Sequence, residues 1–322
     1  MKPLRKLLVP LDESAASAQA TDYALGLAKR QGAQIVFTHS VDLTSAAAAC
    51  PDPYGGAGIA AMLDALEAEG KSLLSRVAAR AQNAGITATT VEAAGPPVAA
   101  ILDVVRGRDI DAVVMGTHAR TGLSRLVLGS TTEGVLRRCD IPVFVVPPSD
   151  VPDAGRPFTL DRIEVALDAS EPAAAALELT LALAQPGRTK LVIANVLDAR
   201  AEHGARPSHY PAPAALVEQR ENARELVAAA VDRAASAGID AESALLEGSP
   251  PGHLVHLAIA NGADLIAIGT HGRRGIERML LGSVAESVLR RAQAAVLVVP
   301  GAVALARSAP LQREASTALS IS

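Results

Sequence analysis

The chain repeats itself, and that repeat limits its fold more than any other feature. Lys6-Leu-Leu-Val-Pro-Leu-Asp12-Glu-Ser14 returns as Arg162-Ile-Glu-Val-Ala-Leu-Asp168-Ala-Ser170, an offset of 156 residues. Gln34 to Val41 returns as Lys190 to Val196, aligned so that Val196 matches Val41 at an offset of 155. Gly116-Thr-His and Val143-Phe-Val-Val-Pro147 return as Gly269-Thr-His and Val296-Leu-Val-Val-Pro300, both at 153. So small a drift over half of a 322-residue chain marks a duplicated domain, and the length suits two domains of ordinary size.

Within each copy, short apolar or β-branched runs alternate with Ala- and Leu-rich segments of helical spacing. In the first copy the runs are Lys6 to Leu11, Gln34 to Val41, Thr87 to Glu92, Ala112 to Met115 and Val143 to Val146. Ser14 is placed to cap the first helix, and Gly85 and Gly238 stand where helices end. Strand and helix alternating in this way predict an α/β fold: two copies of a doubly wound, five-stranded, parallel, Rossmann-like domain. The domains are placed at residues 1–148 and 160–302, with a Pro-rich linker at 149–159 and a disordered tail at 303–322. Thr44 to Ala60 and Arg200 to Ala214 read as irregular surface connections, with a lid as the sharper alternative.

Charged residues make up 20% of the chain and its formal net charge is −4, which speaks against a polyanion-binding surface. Aromatic residues are 2%, too few for base-stacking platforms, so nucleic acid is not an expected partner. Cys50 and Cys139 are too few for a disulfide framework or a metal cluster and read as inert thiols in a reducing compartment. Asp12 and Glu13 interrupt the first apolar run before a signal core forms. No apolar stretch has membrane-spanning length. A soluble, cytoplasmic protein is expected, with no membrane partner.

In an open parallel sheet, ligands bind beyond the carboxyl ends of the strands where strand order reverses. The duplicated polar features cluster there: Asp12 and Asp168 after the first strand, and a glycine loop after the fourth. In the second copy that loop is GTHGRRGIERMLLGS, Gly269 to Ser283; in the first it is GTHARTGLSRLVLGS, Gly116 to Ser130. Gly269 and Gly272 would let the backbone turn sharply and approach a ligand without a Cβ in the way. Gly282-Ser283 precede a segment of helical period, so free N–H groups and the helix dipole would favour a phosphate. Ser283 is placed to cap that helix, to bind a phosphate oxygen, or both.

Glycine, two residues, glycine, nine residues, glycine and serine, together with the acid after strand one and the opening Val9-Pro10-Leu11-Asp12-Glu13-Ser14, resembles the universal stress proteins in their tandem form. The resemblance covers about residues 3–147 and 160–300. It implies an adenine-nucleotide site, ATP with or without Mg2+, in one or both halves. Asp12 would face adenine and ribose, Val41 would offer backbone hydrogen bonds to the base, and the loop from Gly116 through His118, Ala119, Gly129, Ser130 and Thr131 to Thr132 would hold the phosphates. Pro10 and Met115, at the strand ends, complete that set. In the second half the matching residues are Asp168, Val196, Ile268, Gly269, His271, Gly272, Gly282, Ser283 and Val284. The resemblance also implies pairing through the last strand of each copy, here within one chain, with a homodimer and unidentified protein partners as further possibilities. Ala119 departs from the glycine pattern and would cost on the order of 1 kcal/mol at positive φ. Ala166 replaces Pro10, and Ala285 replaces Thr132.

Other readings of these loops are structural. His118 and His271 shape the loop unless they meet phosphate, and Arg120, Arg125, Arg273, Arg274 and Arg278 suit a solvated face. Glu133 and Glu286 favour the helix dipole. His203 and His209 lack metal-ligand spacing, so no metal site is assigned. No P-loop, no Gly-x-Ser-x-Gly elbow and no Ser-Gly-Gly-x-x-Ser loop occurs, so no catalytic residue is assigned. Three functions stay open: nucleotide occupancy regulating conformation or partners in a stress response, a nucleotide-free interaction scaffold, and slow ATP hydrolysis.

Overall fold

The computed structural model describes residues 4–42, 57–117, 128–148, 158–197, 213–270 and 281–301. The first half runs β1 (Lys6–Leu11), α1 (Ala15–Gln31), β2 (Gln34–Val41), α2 (Ala57–Asn83), β3 (Ala88–Ala94), α3 (Pro97–Gly107), β4 (Ala112–Gly116), α4 (Ser130–Arg138) and β5 (Val143–Val146). The second runs β6 (Arg162–Ala166), α5 (Glu171–Leu183), β7 (Lys190–Leu197), α6 (Pro213–Ser236), β8 (Asp240–Glu247), α7 (Pro250–Asn261), β9 (Leu265–Gly269), α8 (Ser283–Leu289) and β10 (Ala295–Val299). The expected bounds of β1, β2 and β5 hold. β3 runs from Ala88, one residue later than expected, past Glu92 to Ala94, and β4 takes in Gly116, expected in the loop.

Punctuation follows local chemistry. The Ser14 hydroxyl accepts the Ser17 N–H at the start of α1, and Ser170 does the same for Ala173 in α5. Gly85 and Gly238, after α2 and α6, both adopt φ near 73–74°, the left-handed conformation that ends a helix.

All ten strands form one sheet in the order β3-β2-β1-β4-β5-β10-β9-β6-β7-β8. Each half is parallel within itself, and the halves meet where β5 and β10 pair antiparallel through Val143↔Val298, Phe144↔Leu297 and Val145↔Val296. The expected pairing of terminal strands therefore occurs inside the chain. Every residue of both strands is buried, so the apolar runs that would be exposed edges in isolated halves are hidden. The outer edges, β3 and β8, carry ion-paired acids instead: Glu92 with Lys71, Glu242 with Lys190 and Glu247 with Arg220.

Helices cover both faces. One core packs α1, α2, α5 and α6 on the face carrying Leu7, Phe37, Ile163 and Ile193. The other packs α3, α4, α7 and α8 on the face carrying Leu8, Val36, Val113 and Ile266. The junction has contacts of its own. Phe158 stacks edge-on to Tyr23 at 5.0 Å and fills the space beside Gly26. The Arg30 guanidinium donates to the Leu160 carbonyl at 3.2 Å and the Thr189 hydroxyl at 2.8 Å. Residues 149–157 of the expected linker, the expected tail at 303–322, residues 44–56 and 200–212 of the expected irregular connections, and Cys50, His203 and His209 lie outside the described residues; the ends of those connections, from Ala57 and from Pro213, are helical.

Candidate functional site

Strand order reverses between β1 and β4, the pair from which the chain winds outward in opposite directions. Because the two connections leave on opposite faces, the carboxyl ends of these strands part into a crevice. In the first half that crevice is a cavity of about 370 Å³. Its floor is the strand-end residues Pro10, Leu11, Met115 and Gly116, with Thr38, His39 and Ser40 of β2. Its walls are Asp12 with the first turn of α1, Pro97, Ala100 and Ile101 of α3, and Gly129, Ser130, Thr131 and Thr132 at the start of α4. The volume lies within the roughly 300–1,000 Å³ of small-molecule sites.

Of the residues expected from sequence, the cavity brings together Pro10, Asp12, Met115, Gly116, Gly129, Ser130, Thr131 and Thr132. Val41 is not among its lining; its carbonyl accepts the Gly95 N–H at 3.0 Å. His118 and Ala119 lie outside the described residues, as do His271, Gly272 and the loop arginines. Sequence reasoning missed Thr38, His39 and Ser40 and the α3 wall. The one usable signal for the first three was their place at the carboxyl end of β2.

Hydrogen bonds hold the crevice in shape. Asp12 Oδ1 accepts both the N–H and the hydroxyl of Ser14, fixing the turn into α1. His39 Nδ1 lies 2.9 Å from the Leu11 carbonyl oxygen, and the Thr132 hydroxyl donates to the Gly116 carbonyl at 3.0 Å. The cap residue of α4 is Gly129, with no side chain capping the helix, and Ser130 is already helical. In the second half Gly282 and Ser283 stand the same way, so Ser283 does not cap α8, as the sequence reading had allowed. A glycine cap supplies no side-chain oxygen for the first N–H groups of α4, which begins at the crevice wall. Glu133 lies in that first turn and pairs with Arg137 at 2.7 Å.

The glycine at the end of β4 has a different role from the one expected. A Cβ on Gly116 would stand 2.3 Å from the Ala16 carbonyl oxygen, and one on Gly269 would stand 2.7 Å from Pro172 Cβ. Neither glycine has positive φ. The first turn of the helix crossing the strand end excludes a side chain, whether or not a ligand is present.

In the second half, Asp168, Ile268, Gly269, Gly282, Ser283 and Val284 occupy positions equivalent to Asp12, Met115, Gly116, Gly129, Ser130 and Thr131. The register corrects one pairing. Lys6↔Gln34 and Arg162↔Lys190 place the second β-strands at a constant offset of 156, so Leu197 corresponds to Val41 and Val196 to Ser40. The Gly248 N–H meets the Leu197 carbonyl as Gly95 meets Val41, which confirms the match. A slip of one residue in a strand exchanges its faces. Asp168 again accepts from the Ser170 N–H and hydroxyl, and Asn195 donates to the Leu167 carbonyl at 2.7 Å where His39 meets that of Leu11.

The halves differ in polarity. Among the described residues seven hydroxyls line the first cavity: Ser14, Ser17, Thr38, Ser40, Ser130, Thr131 and Thr132. Their counterparts are Ser170, Ala173, Ala194, Val196, Ser283, Val284 and Ala285, of which two keep a hydroxyl. Among the described residues no group of three His, Cys, Asp or Glu side chains is placed to hold a metal ion, and no helix is long and apolar enough to cross a membrane.

Comparison with known proteins agrees with this geometry. A crystal structure of a universal stress protein from Archaeoglobus fulgidus superposes with a TM-score of 0.68 over 92% of this chain and 98% of that one, at 24% identity, which establishes the fold. Among curated proteins, a universal stress protein of Methanocaldococcus jannaschii is 30% identical over 146 residues, 44% of this chain and 81% of its own length. YxiE of Bacillus subtilis, another universal stress protein, is 30% identical over 148 residues, 44% of this chain and 97% of its own. Residues 3–147 and 159–300 each match the universal stress protein family, and the chain belongs to that family as a tandem member with two copies of its domain.

Proposed function

We propose that the chain binds an adenine nucleotide, ATP, in the crevice between β1 and β4 of at least its first half, and that occupancy regulates its conformation or its partners in a cytoplasmic stress response. The observation that carries this reading is the cavity itself. Among the described residues it combines strand-end apolar residues of the kind a base packs on, one carboxylate, seven hydroxyls, and a helix start whose glycine cap offers no side-chain oxygen. That set suits the parts of a nucleotide in turn: Met115 and Ile101 offer surface for a planar ring, Asp12 accepts from ribose hydroxyls, and the Gly129 to Thr132 turn takes phosphate oxygens. Asp12 is the only carboxylate in the lining among the described residues, so a Mg2+ ion would be held chiefly by the phosphates it accompanies.

Calorimetric titration of nucleotide-free protein with ATP, beside Asp12→Ala and Gly129→Val variants of matched thermal stability, tests the assignment. Binding by the wild type with at least tenfold weaker binding by both variants is expected. Equal binding by all three would remove the site from this crevice, and no binding by any would favour the interaction-scaffold reading.

A further inference from the structure

The two crevices are not equivalent, and one side chain separates them most sharply. Ala100, the fourth residue of α3, is a wall of the first cavity. The fourth residue of α7, at the same place in the second half, is His253. Its ring folds back toward the preceding turn. A Cβ built on Gly248, in the turn between β8 and α7, would stand 2.6 Å from His253 Nε2 and 3.2 Å from its Cδ2. The equivalent turn residue of the first half, Gly95, has nothing within 4 Å of the same point. The imidazole thus reaches from α7 back to the turn, over a place that the first half leaves open.

We infer that His253 closes the adenosine end of the second crevice, so that the chain carries one competent nucleotide site, in its first half, and one shuttered site in its second. This rests on the reading of the first crevice as a nucleotide site. A further difference points the same way. The second crevice has lost the hydroxyl of Thr131 beside its helix start, where Val284 stands, so it offers phosphate one donor fewer, and Ala285 removes the Thr132 hydroxyl that holds the Gly116 carbonyl in the first half. Duplication has therefore produced a division of labour: a first half that responds to nucleotide, and a second that completes the ten-stranded sheet and keeps its own crevice shut.

The test is the stoichiometry of ATP binding to the full chain by equilibrium dialysis with Mg2+ present, for the wild type, His253→Ala and Ala100→His. The wild type is expected to take one ATP per chain. His253→Ala, which restores the first half's residue, is expected to add a second, weaker site. Ala100→His, which introduces the shutter into the first half, is expected to lower affinity there at least tenfold. A wild type with two equal sites overturns the inference while leaving the nucleotide reading intact. So does a folded His253→Ala protein that still takes one ATP, or an Ala100→His protein that binds as the wild type does. No ATP on the wild type would remove the underlying reading, and this inference with it. Thermal melts of each variant establish folding; should His253→Ala fail to fold, the Ala100→His arm decides alone.

Discussion

Replacing Glu164 by leucine is expected to stabilise the protein, and by more as pH rises. Glu164 lies in the middle of β6 at the place of Leu8 in the first half, 1% exposed, with Val192 and Ile266 beside it on the adjoining strands. Neither of its carboxylate oxygens has a hydrogen-bond partner. Burial pushes its carboxyl from the ordinary 4.5 up to about 8. The sign follows from proton binding. Below 4.5 both folded and unfolded chains hold the proton, so the group adds no pH dependence. Between 4.5 and about 8 the unfolded chain releases it while the folded chain keeps it, and folding stability falls as pH rises. Above about 8 the folded chain also ionises and the loss levels off. At about 1.4 kcal/mol per pH unit, the advantage of Glu164→Leu should grow by about 4 kcal/mol between pH 5 and pH 9. Urea denaturation of both proteins at pH 5, 7 and 9 measures this difference, and titrations shared by the two cancel. Glu164→Gln, uncharged and of similar shape, should lose the same pH dependence while gaining less stability, because its amide would stand unpartnered in place of the carboxyl. An advantage that does not change with pH, or a leucine variant less stable than the wild type at pH 9, would refute the reasoning.

Three other outcomes follow from packing. Gly116→Ala should cost about 1–3 kcal/mol in thermal or urea denaturation without any ligand, since the new methyl meets the Ala16 carbonyl oxygen at 2.3 Å; unchanged stability would return this glycine to a ligand role. Arg30→Ala should cost about 2–3 kcal/mol and loosen the junction, measured as lower unfolding cooperativity between the halves, because the Thr189 hydroxyl and Leu160 carbonyl lose a charged donor. The Cys139 thiol is buried and pushed up to about 11, chiefly by that burial, so at pH 8 a thiol reagent followed by peptide mapping should modify it only once the chain is unfolded.

Much of this architecture was legible because the duplication lets each half check the other. The bounds of β1, β2 and β5 follow from short apolar runs ended by Asp12, by Asp42 and by Pro147. The pairing of Val143–Val146 with Ala295–Val299 follows from two all-apolar strands that need covering. What the sequence hid lies in contacts between distant segments. Val196 aligned with Val41 because both are valines, and only the ladder shows that Leu197 holds that place. Gly116 looked like a loop glycine because nothing local announces that Ala16 of α1 will cross it. Glu164 sits in Arg-Ile-Glu-Val-Ala, an alternating pattern that suits a strand with one wet face, yet helices cover both faces of this sheet and the acid is buried. Ala100 and His253 carry no motif at all; their importance comes from the turn each helix leaves, open at Gly95 and filled at Gly248.

The central claim concerns where the nucleotide sits, and hydrogen exchange with and without ATP tests it most directly. Slowed exchange is expected in two segments of the first half, Asp12 to Ser17 and Gly129 to Glu133, with no matching change at Asp168 to Ala173 or Gly282 to Glu286. Unchanged exchange at saturating ATP, or protection confined to the second half, would contradict the account.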